Sequence, residues 1–207
     1  MVLTDWPYGV SWEGRGQQGF GPIANDCAGD AFPVLDVLRA ALRALRSGRH
    51  VYCFGARSFG DLPIAATTEL VWDKGIQGLG DLSLPWGPSH ETILFGVYVP
   101  SKANRKDGQG GLSARLRRGS VLRCDRLNSR AVVNHPTEKP VSILRQMIES
   151  SSLFGETVLD PFAGSGSTLV AAKLEGRKSI GIEIDERYCE TAAKRLSQQR
   201  LPLESVA

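Results

Sequence analysis

Two short stretches of this 207-residue chain carry side chains whose types and spacing could do chemistry. The first is the turn Asp160-Pro161-Phe162-Ala163-Gly164-Ser165-Gly166-Ser167-Thr168, set between a short apolar run and an amphipathic one. Gly164 and Gly166 remove side chains where a ligand must approach the backbone, and the free amides of a helix starting there can receive a carboxylate or phosphate. Two glycines alone are weak evidence. Glu183 strengthens them, because it ends the next apolar run about 20 residues on, where an acidic side chain can accept both ribose hydroxyls of a nucleoside cofactor. The third glycine of a dinucleotide site and the lysine of a nucleoside-triphosphate site are both missing. A sulfonium cofactor with an amino-acid tail fits better, with Asp160 meeting the cationic end of the tail and Phe162 covering its apolar body.

The second stretch is Thr4-Asp5-Trp6-Pro7-Tyr8-Gly9. An amino group conjugated to a base ring is a poor nucleophile because its lone pair is delocalised into the ring, so it needs acceptors. The Asp5 carboxylate and the main-chain carbonyl of Trp6 can bond both amino hydrogens and favour a pyramidal nitrogen as it attacks a methyl group. Tyr8 can stack on a base that has left the double helix, which it must do because the amino group is otherwise occupied in pairing. Pro7 fixes the chain and forces Trp6 into an extended conformation, aiming its carbonyl. Taken alone, this tetrapeptide reads as an ordinary strand-end turn.

The elements that must position these residues alternate, short apolar runs with amphipathic stretches, which argues an α/β domain with a mostly parallel sheet. A strand end at Met1 to Thr4 leads into a Gly-rich loop from Gly9 to Gly21. A helix follows with Pro33 near its first turn, Val34, Leu38, Ala41, Leu42 and Leu45 on one face, and a stop at Gly48. Strands are expected at His50 to Gly55, Glu69 to Trp72 and Thr92 to Val99. The segment from Pro100 to about Arg130 has four glycines and little periodicity, so it reads as a loop or a small appended element. From Pro140 come a helix to about Ser152, a strand at Thr157 to Leu159, the Gly turn, a helix at Thr168 to Leu174, a strand at Ser179 to Ile182, and a helix from about Glu186 to Ser197 capped by Asp185.

With 42% hydrophobic and 23% charged residues the chain has the profile of one globular domain, expected to span residues 1–207. No apolar run approaches the roughly 20 residues of a membrane span, and the N-terminus lacks a basic region followed by a long apolar one, so a cytoplasmic protein is expected. Cys27, Cys53, Cys124 and Cys189 form no C-x-x-C pair and read as free buried thiols. No cluster of carboxylates or histidines has metal-ligand spacing, which sets aside a metal-dependent nuclease, and His135 reads as a structural hydrogen-bonding residue. The net charge of +3 is unevenly spread: Lys102, Arg105, Lys106, Arg115, Arg117, Arg118, Arg123, Arg126 and Arg130 face only Asp107 and Asp125, a local +7 on a body of −4. A mildly acidic body bearing one basic segment suits a polyanion.

Together the two stretches resemble the motifs of the DNA amino-methyltransferases. Asp5 to Tyr8 is similar to their D-P-P-Y motif, and Phe162 to Gly166 matches F-x-G-x-G. His135-Pro-Thr137-Glu-Lys139-Pro140 is similar to H-x-T-x-K-P, and Trp72-Asp-Lys-Gly75 and His90-Glu91 stand at family-like positions. The catalytic motif precedes the cofactor motif, the permuted order of the beta class. The resemblance implies a Rossmann-like S-adenosylmethionine-dependent methyltransferase fold, with a mostly parallel central sheet and helices on both faces. It implies a cofactor pocket built by Asp160, Phe162, Ala163, Gly164, Ser165, Gly166, Thr168, Glu183, Asp5, Thr137 and Lys139. DNA is the implied partner, with residues 100–133 as a target-recognition insertion whose Lys and Arg residues hold phosphates and read guanine edges. No metal is implied.

The implied reaction is methylation of adenine N6. Methylation of cytosine N4 or of RNA, and a non-catalytic DNA-binding remnant, stay as alternatives. Family members acting on cytosine tend to carry Ser at the position of Asp5. Trp6 replaces the usual first proline but keeps the main-chain carbonyl. The family also has one more strand and an acidic residue before its catalytic strand, and this chain begins almost at the motif. That would leave part of the cofactor's adenine exposed, giving weaker binding or a pocket completed by a partner subunit in a homodimer.

Overall fold

The structure is a computed structural model that describes residues 1–6, 34–75, 82–101, 116–124 and 138–198. Pro7, Tyr8, the Gly-rich loop from Gly9, Thr137, Lys102, Arg105, Lys106, Arg115 and Arg126 lie outside these.

Successive side chains of a strand point to opposite faces, so a strand covered on both faces is a continuous apolar run. The first strand, β1 (Val2–Thr4), is wholly buried, with Val2 and Leu3 entering different cores. It lies inside a seven-stranded sheet with β2 (His50–Phe54), β3 (Ile64–Asp73), β4 (His90–Tyr98), β5 (Val121–Arg123), β6 (Thr157–Asp160) and β7 (Lys178–Gly181). The order is β5-β3-β4-β2-β1-β6-β7. Only β4 runs antiparallel to its neighbours; the other pairings are parallel.

Four helices complete the described residues: α1 (Val34–Leu42), α2 (Val141–Ser151), α3 (Ser167–Leu174) and α4 (Glu186–Ser197). Leu3, Phe54, Ile93 and Val158 form a core with Ile143, Leu144, Met147 and Ile148 of α2 and Ala171 and Ala172 of α3. On the other face Val2, Val51, Cys53 and Leu94 pack with Leu38, Ala41 and Leu42 of α1. The mostly parallel sheet with helices on both faces is therefore present as expected. Asp185 caps α4, its side chain accepting from the Arg187 amide at 2.9 Å.

The structure departs from the sequence reading in four places. Helix α1 ends at Leu42 rather than near Gly48, because bonds from the Ala44 amide to the Ala41 carbonyl and from Leu45 to Leu42 tighten the chain into short turns. Strand β3 begins at Ile64, five residues before the expected Glu69; its first half is Ala-Ala-Thr-Thr, largely exposed, with a bulge between Ala65 and Thr68. The stretch read as a loop or small appended element contributes β5, which extends the sheet along β3 and buries Leu122. Of the expected buried thiols, Cys53 is buried, Cys124 is partly so and Cys189 is exposed, while Cys27 lies outside the described residues.

At the end of the sheet where β2 starts, His50 is closed in: its Nδ1 lies 2.7 Å from the Ser151 hydroxyl, which also meets Tyr52 at 2.6 Å. Burial, reinforced by the Met1 ammonium and Arg49, pushes His50 from 6.5 down to about 4. The unfolded chain takes up this proton near pH 6.5 and the folded chain only near 4, so the stability from neutral His50 is full above pH 6.5 and is lost as pH falls to 4. A shift of this size is worth about 3 kcal/mol. Urea titrations from pH 7 to 4 should show His50→Gln less acid-sensitive than wild type by that order; identical pH slopes would contradict the assignment.

Candidate active site

In a mostly parallel sheet the carboxyl ends of the strands gather at one edge, and there the two motifs meet. Asp160 ends β6 and Thr4 ends β1, its neighbour; the Thr4 hydroxyl donates to Asp160 Oδ1 at 2.8 Å across 156 positions of sequence. The Phe162 amide donates to the same oxygen at 3.1 Å. Asp160 is only 2% exposed. Burial pushes its carboxyl up to about 6, against the opposite pull of the Thr168 and Thr4 hydroxyls and the Phe162 amide. Among the described residues no cation pairs with it.

The glycines of the turn serve different ends. Gly164 has φ of +50°, and a Cβ there would meet nothing within 4 Å among the described residues, which leave this face of the turn open. Gly166 has φ of +84°, and a Cβ there would lie 2.7 Å from the Ala192 Cβ. The space beside its Cα is taken by α4, so a glycine lets the turn pack closely against that helix. Glu183, just past β7, accepts from the Gly164 amide at 2.8 Å with Oε2 and from the Asp185 amide at 2.8 Å with Oε1. Its carboxylate is thereby fixed beside the turn, with acceptor lone pairs remaining on both oxygens. Ala163 is buried and its amide bonds the Ile182 carbonyl at 2.8 Å, holding the turn to the strand end.

Behind the turn lies a network that the sequence did not disclose. Arg195 of α4 donates to the Ser165 carbonyl at 2.8 Å, to the Ser165 hydroxyl at 3.0 Å and to the Ser167 hydroxyl at 3.2 Å, and pairs with Glu138. The Ser167 hydroxyl also donates to Glu138 at 3.1 Å. Arg195 stands three residues after the buried Ala192, on the packed side of α4. A basic residue in phase with a buried one was the available signal.

Asp5 follows β1 and is partly buried. Its Oδ2 lies 2.8 Å from Lys139 Nζ, whose side chain is 9% exposed. Lys139 Nζ also lies 3.4 Å from Glu91 Oε2, and Lys74 Nζ lies 2.7 Å from Glu91 Oε1. Burial opposes the Lys139 charge, but Asp5 and Glu91 outweigh it and hold the ammonium above the ordinary lysine value. Burial likewise works against the Glu91 charge, and Lys139 and Lys74 overcome it, holding that carboxyl below its ordinary value. Trp6 turns its indole onto the α1-side core, so this large residue in place of a proline finds apolar cover. Of the basic candidates, Arg117 is exposed, Arg118 pairs with Glu149 and donates to the Ser150 hydroxyl at 3.2 Å, and Arg123 on β5 is exposed 3.6 Å from Asp73. Among the described residues no group of three or more His, Cys, Asp or Glu could hold a metal, and no helix is long and apolar enough to cross a membrane.

Comparison with known proteins bears on the fold and the family. DNA adenine methyltransferase YhdJ of Escherichia coli (strain K12) is 51% identical over 63 residues, 30% of this chain and 21% of that protein. The chain matches the curated relatives over only 18% to 28% of their length. Among solved structures, the M1.HpyAVI-SAM complex superposes with a TM-score of 0.69 at 19% identity, covering 95% of this chain and 88% of that one. PvuII DNA methyltransferase (cytosine-N4-specific) gives 0.65 at 16% identity, over 97% and 80%. These two likenesses establish the Rossmann-like methyltransferase fold. The family model described as DNA methylase matches residues 65–194, well over half the sequence, and the chain belongs to that family.

Proposed function

We propose that this chain transfers a methyl group from S-adenosylmethionine to the exocyclic amino nitrogen of a base flipped out of DNA, adenine N6. The observation that carries the reading is the Thr4 to Asp160 hydrogen bond, which sets Asp5 and the Asp160 turn side by side at one sheet end. A buried carboxylate without a cation among the described residues suits the ammonium of the cofactor's amino-acid tail, and the open face of Gly164 suits the approach of its body. Glu183 would accept the ribose hydroxyls and Phe162 would cover the apolar part.

Bound there, S-adenosylmethionine supplies an electrophilic methyl carbon on a sulfonium, whose departing sulfur keeps the bonding pair. Asp5 and the Trp6 carbonyl hold the two amino hydrogens, so the nitrogen lone pair turns out of the ring toward the methyl carbon. Asp5 is the acceptor nearest the proton that the nitrogen must shed. Tyr8 stacks on the base, and the basic segment from Lys102 to Arg126 holds phosphates. The carboxylate at position 5 supports adenine over cytosine, since the fold is shared with a cytosine-N4-specific enzyme and does not decide between them. A homodimer would cover the outer side of β7, where Ile180, Ile182 and Ile184 are exposed.

Labelled methyl transfer to mixed-sequence duplex DNA, followed by nucleoside analysis, tests the reaction. Label should appear as N6-methyladenine, and Asp5→Ala should lower kcat by about a hundredfold or more, the usual weight of a positioned acceptor. Label only in N4-methylcytosine would move the target to cytosine, and DNA binding with no transfer would leave a non-catalytic DNA-binding protein.

The Asp160 reading has its own pH signature. The folded chain keeps this proton up to about pH 6 while the unfolded chain releases it near 3.8, so stability falls as pH rises between those values. Asp160→Asn should therefore stabilise the cofactor-free protein at pH 7.5 by about 1 to 3 kcal/mol. The same variant should weaken S-adenosylmethionine binding and abolish its loss below pH 6 in wild type. Calorimetry showing pH-independent binding in wild type would refute the ammonium contact.

A further inference from the structure

Beyond Asp5, four charges run in alternation across the site: Asp5, Lys139, Glu91 and Lys74. They come from four places in the chain, the end of β1, the approach to α2, the start of β4 and the residue after β3. Because β4 is antiparallel, its first residues arrive at the end where β1, β2 and β3 finish, and Glu91 pairs in register with Trp72. Both ammonium groups also lie over aromatic rings, Lys139 at 5.3 Å from the Phe54 centroid and Lys74 at 5.2 Å from that of Trp72. At these distances a ring face attracts a cation.

The Glu91 contacts are unequal. Oε1 is 2.7 Å from Lys74, whereas Oε2, 3.4 Å from Lys139, is buried and makes no hydrogen bond among the described residues. The desolvation of this oxygen is offset by Coulomb attraction to a nearby ammonium rather than by a well-directed hydrogen bond. Its neighbour is the ammonium that contacts Asp5.

We propose that Glu91, anchored by Lys74, is a positioning residue for methyl transfer, dividing the charge of Lys139 so that Lys139 fixes the Asp5 carboxylate without neutralising it as an acceptor. The proposal rests on Asp5 as the acceptor in the reaction proposed above. An ammonium paired with Asp5 alone would drain the electron density that the target amino group needs. Removing the ammonium would leave Asp5 unaimed. Shared between two carboxylates, at 2.8 Å from Asp5 and 3.4 Å from Glu91, it orients Asp5 while part of its charge is met by Glu91, and an ionised carboxylate has about four lone-pair sites in all. Lys74 completes the arrangement by keeping Glu91 from drawing Lys139 away.

Steady-state methyl transfer and calorimetric binding of S-adenosylmethionine test the assignment. Glu91→Gln keeps the shape and removes the charge; kcat should fall about ten- to a hundredfold, the usual scale for misplacing a reacting group. The KM and Kd for S-adenosylmethionine should stay within about twofold, since an effect confined to the transition state lowers kcat alone. Lys74→Met should lower kcat in the same way and Lys74→Arg restore it, which keeps the test alive if Glu91→Gln does not fold. In a Lys139→Met background, Glu91→Gln should lower kcat no further. Wild-type kcat in Glu91→Gln and Lys74→Met, or a loss in cofactor affinity as large as the loss in kcat, would overturn the role and leave the methyl-transfer reading intact. Inactivity of the wild type would remove both.

Discussion

A carboxylate held in the interior with no cation beside it among the described residues is the constraint around which this end of the molecule is built. Asp160 cannot be there cheaply, since burial favours its protonated form. What makes the position tolerable is a ring of neutral donors: the Thr4 hydroxyl from the adjacent strand, the Phe162 amide and the Thr168 hydroxyl at the start of α3. Each donor belongs to a different piece of backbone, so satisfying one oxygen pair fixes β1, the Gly turn and α3 relative to one another. The parallel pairing of β1 with β6 is correspondingly brief, a single register pair at Val2 and Leu159, and the side-chain bond beyond it fixes the adjacent strand ends.

The second constraint is topological. Parallel strands finish at one end of the sheet, and a wholly parallel sheet would have no way to bring the beginning of a strand there. The reversal of β4 supplies it, so that His90 and Glu91 stand where Thr4, Phe54 and Asp73 end their strands. That reversal is what lets a carboxylate from the start of β4 share the Lys139 ammonium with Asp5. Two partly buried carboxylates and two largely buried ammonium groups then hold one another in place, each charge offsetting the desolvation of its neighbours.

What could be read from the sequence was what is local in it. The Asp160 to Thr168 turn announces itself because strand, glycines and helix follow within a dozen residues, and the β6-α3-β7 unit appears at its expected place within a residue or two. Strand β5 was hidden by its setting, three residues in a basic, glycine-rich segment whose order comes from pairing with β3. The polar first half of β3 was hidden for a related reason: its residues face solvent beside β4, and the bulge at Ala65 to Thr68 breaks any alternation. Partner choice was beyond reach altogether. Nothing near Glu91 in sequence says that a lysine 48 positions later will lie against it, or that the same ammonium will also meet Asp5.

Glu138 and Lys139 show how the two halves of the site are made to depend on each other. They are consecutive residues, yet Glu138 pairs with Arg195 and accepts from Ser167 behind the Gly turn, while Lys139 reaches Asp5 and Glu91. Backbone that turned to improve one set of contacts would disturb the other. Pro140, next in sequence, has a fixed ring dihedral and an extended backbone from which α2 begins, which removes much of the freedom to make such an adjustment. The short segment into α2 therefore couples the turn that would hold a cofactor to the carboxylate that would hold a target amino group. A resemblance spread over separate motifs becomes, in three dimensions, one connected set of charges and hydrogen bonds.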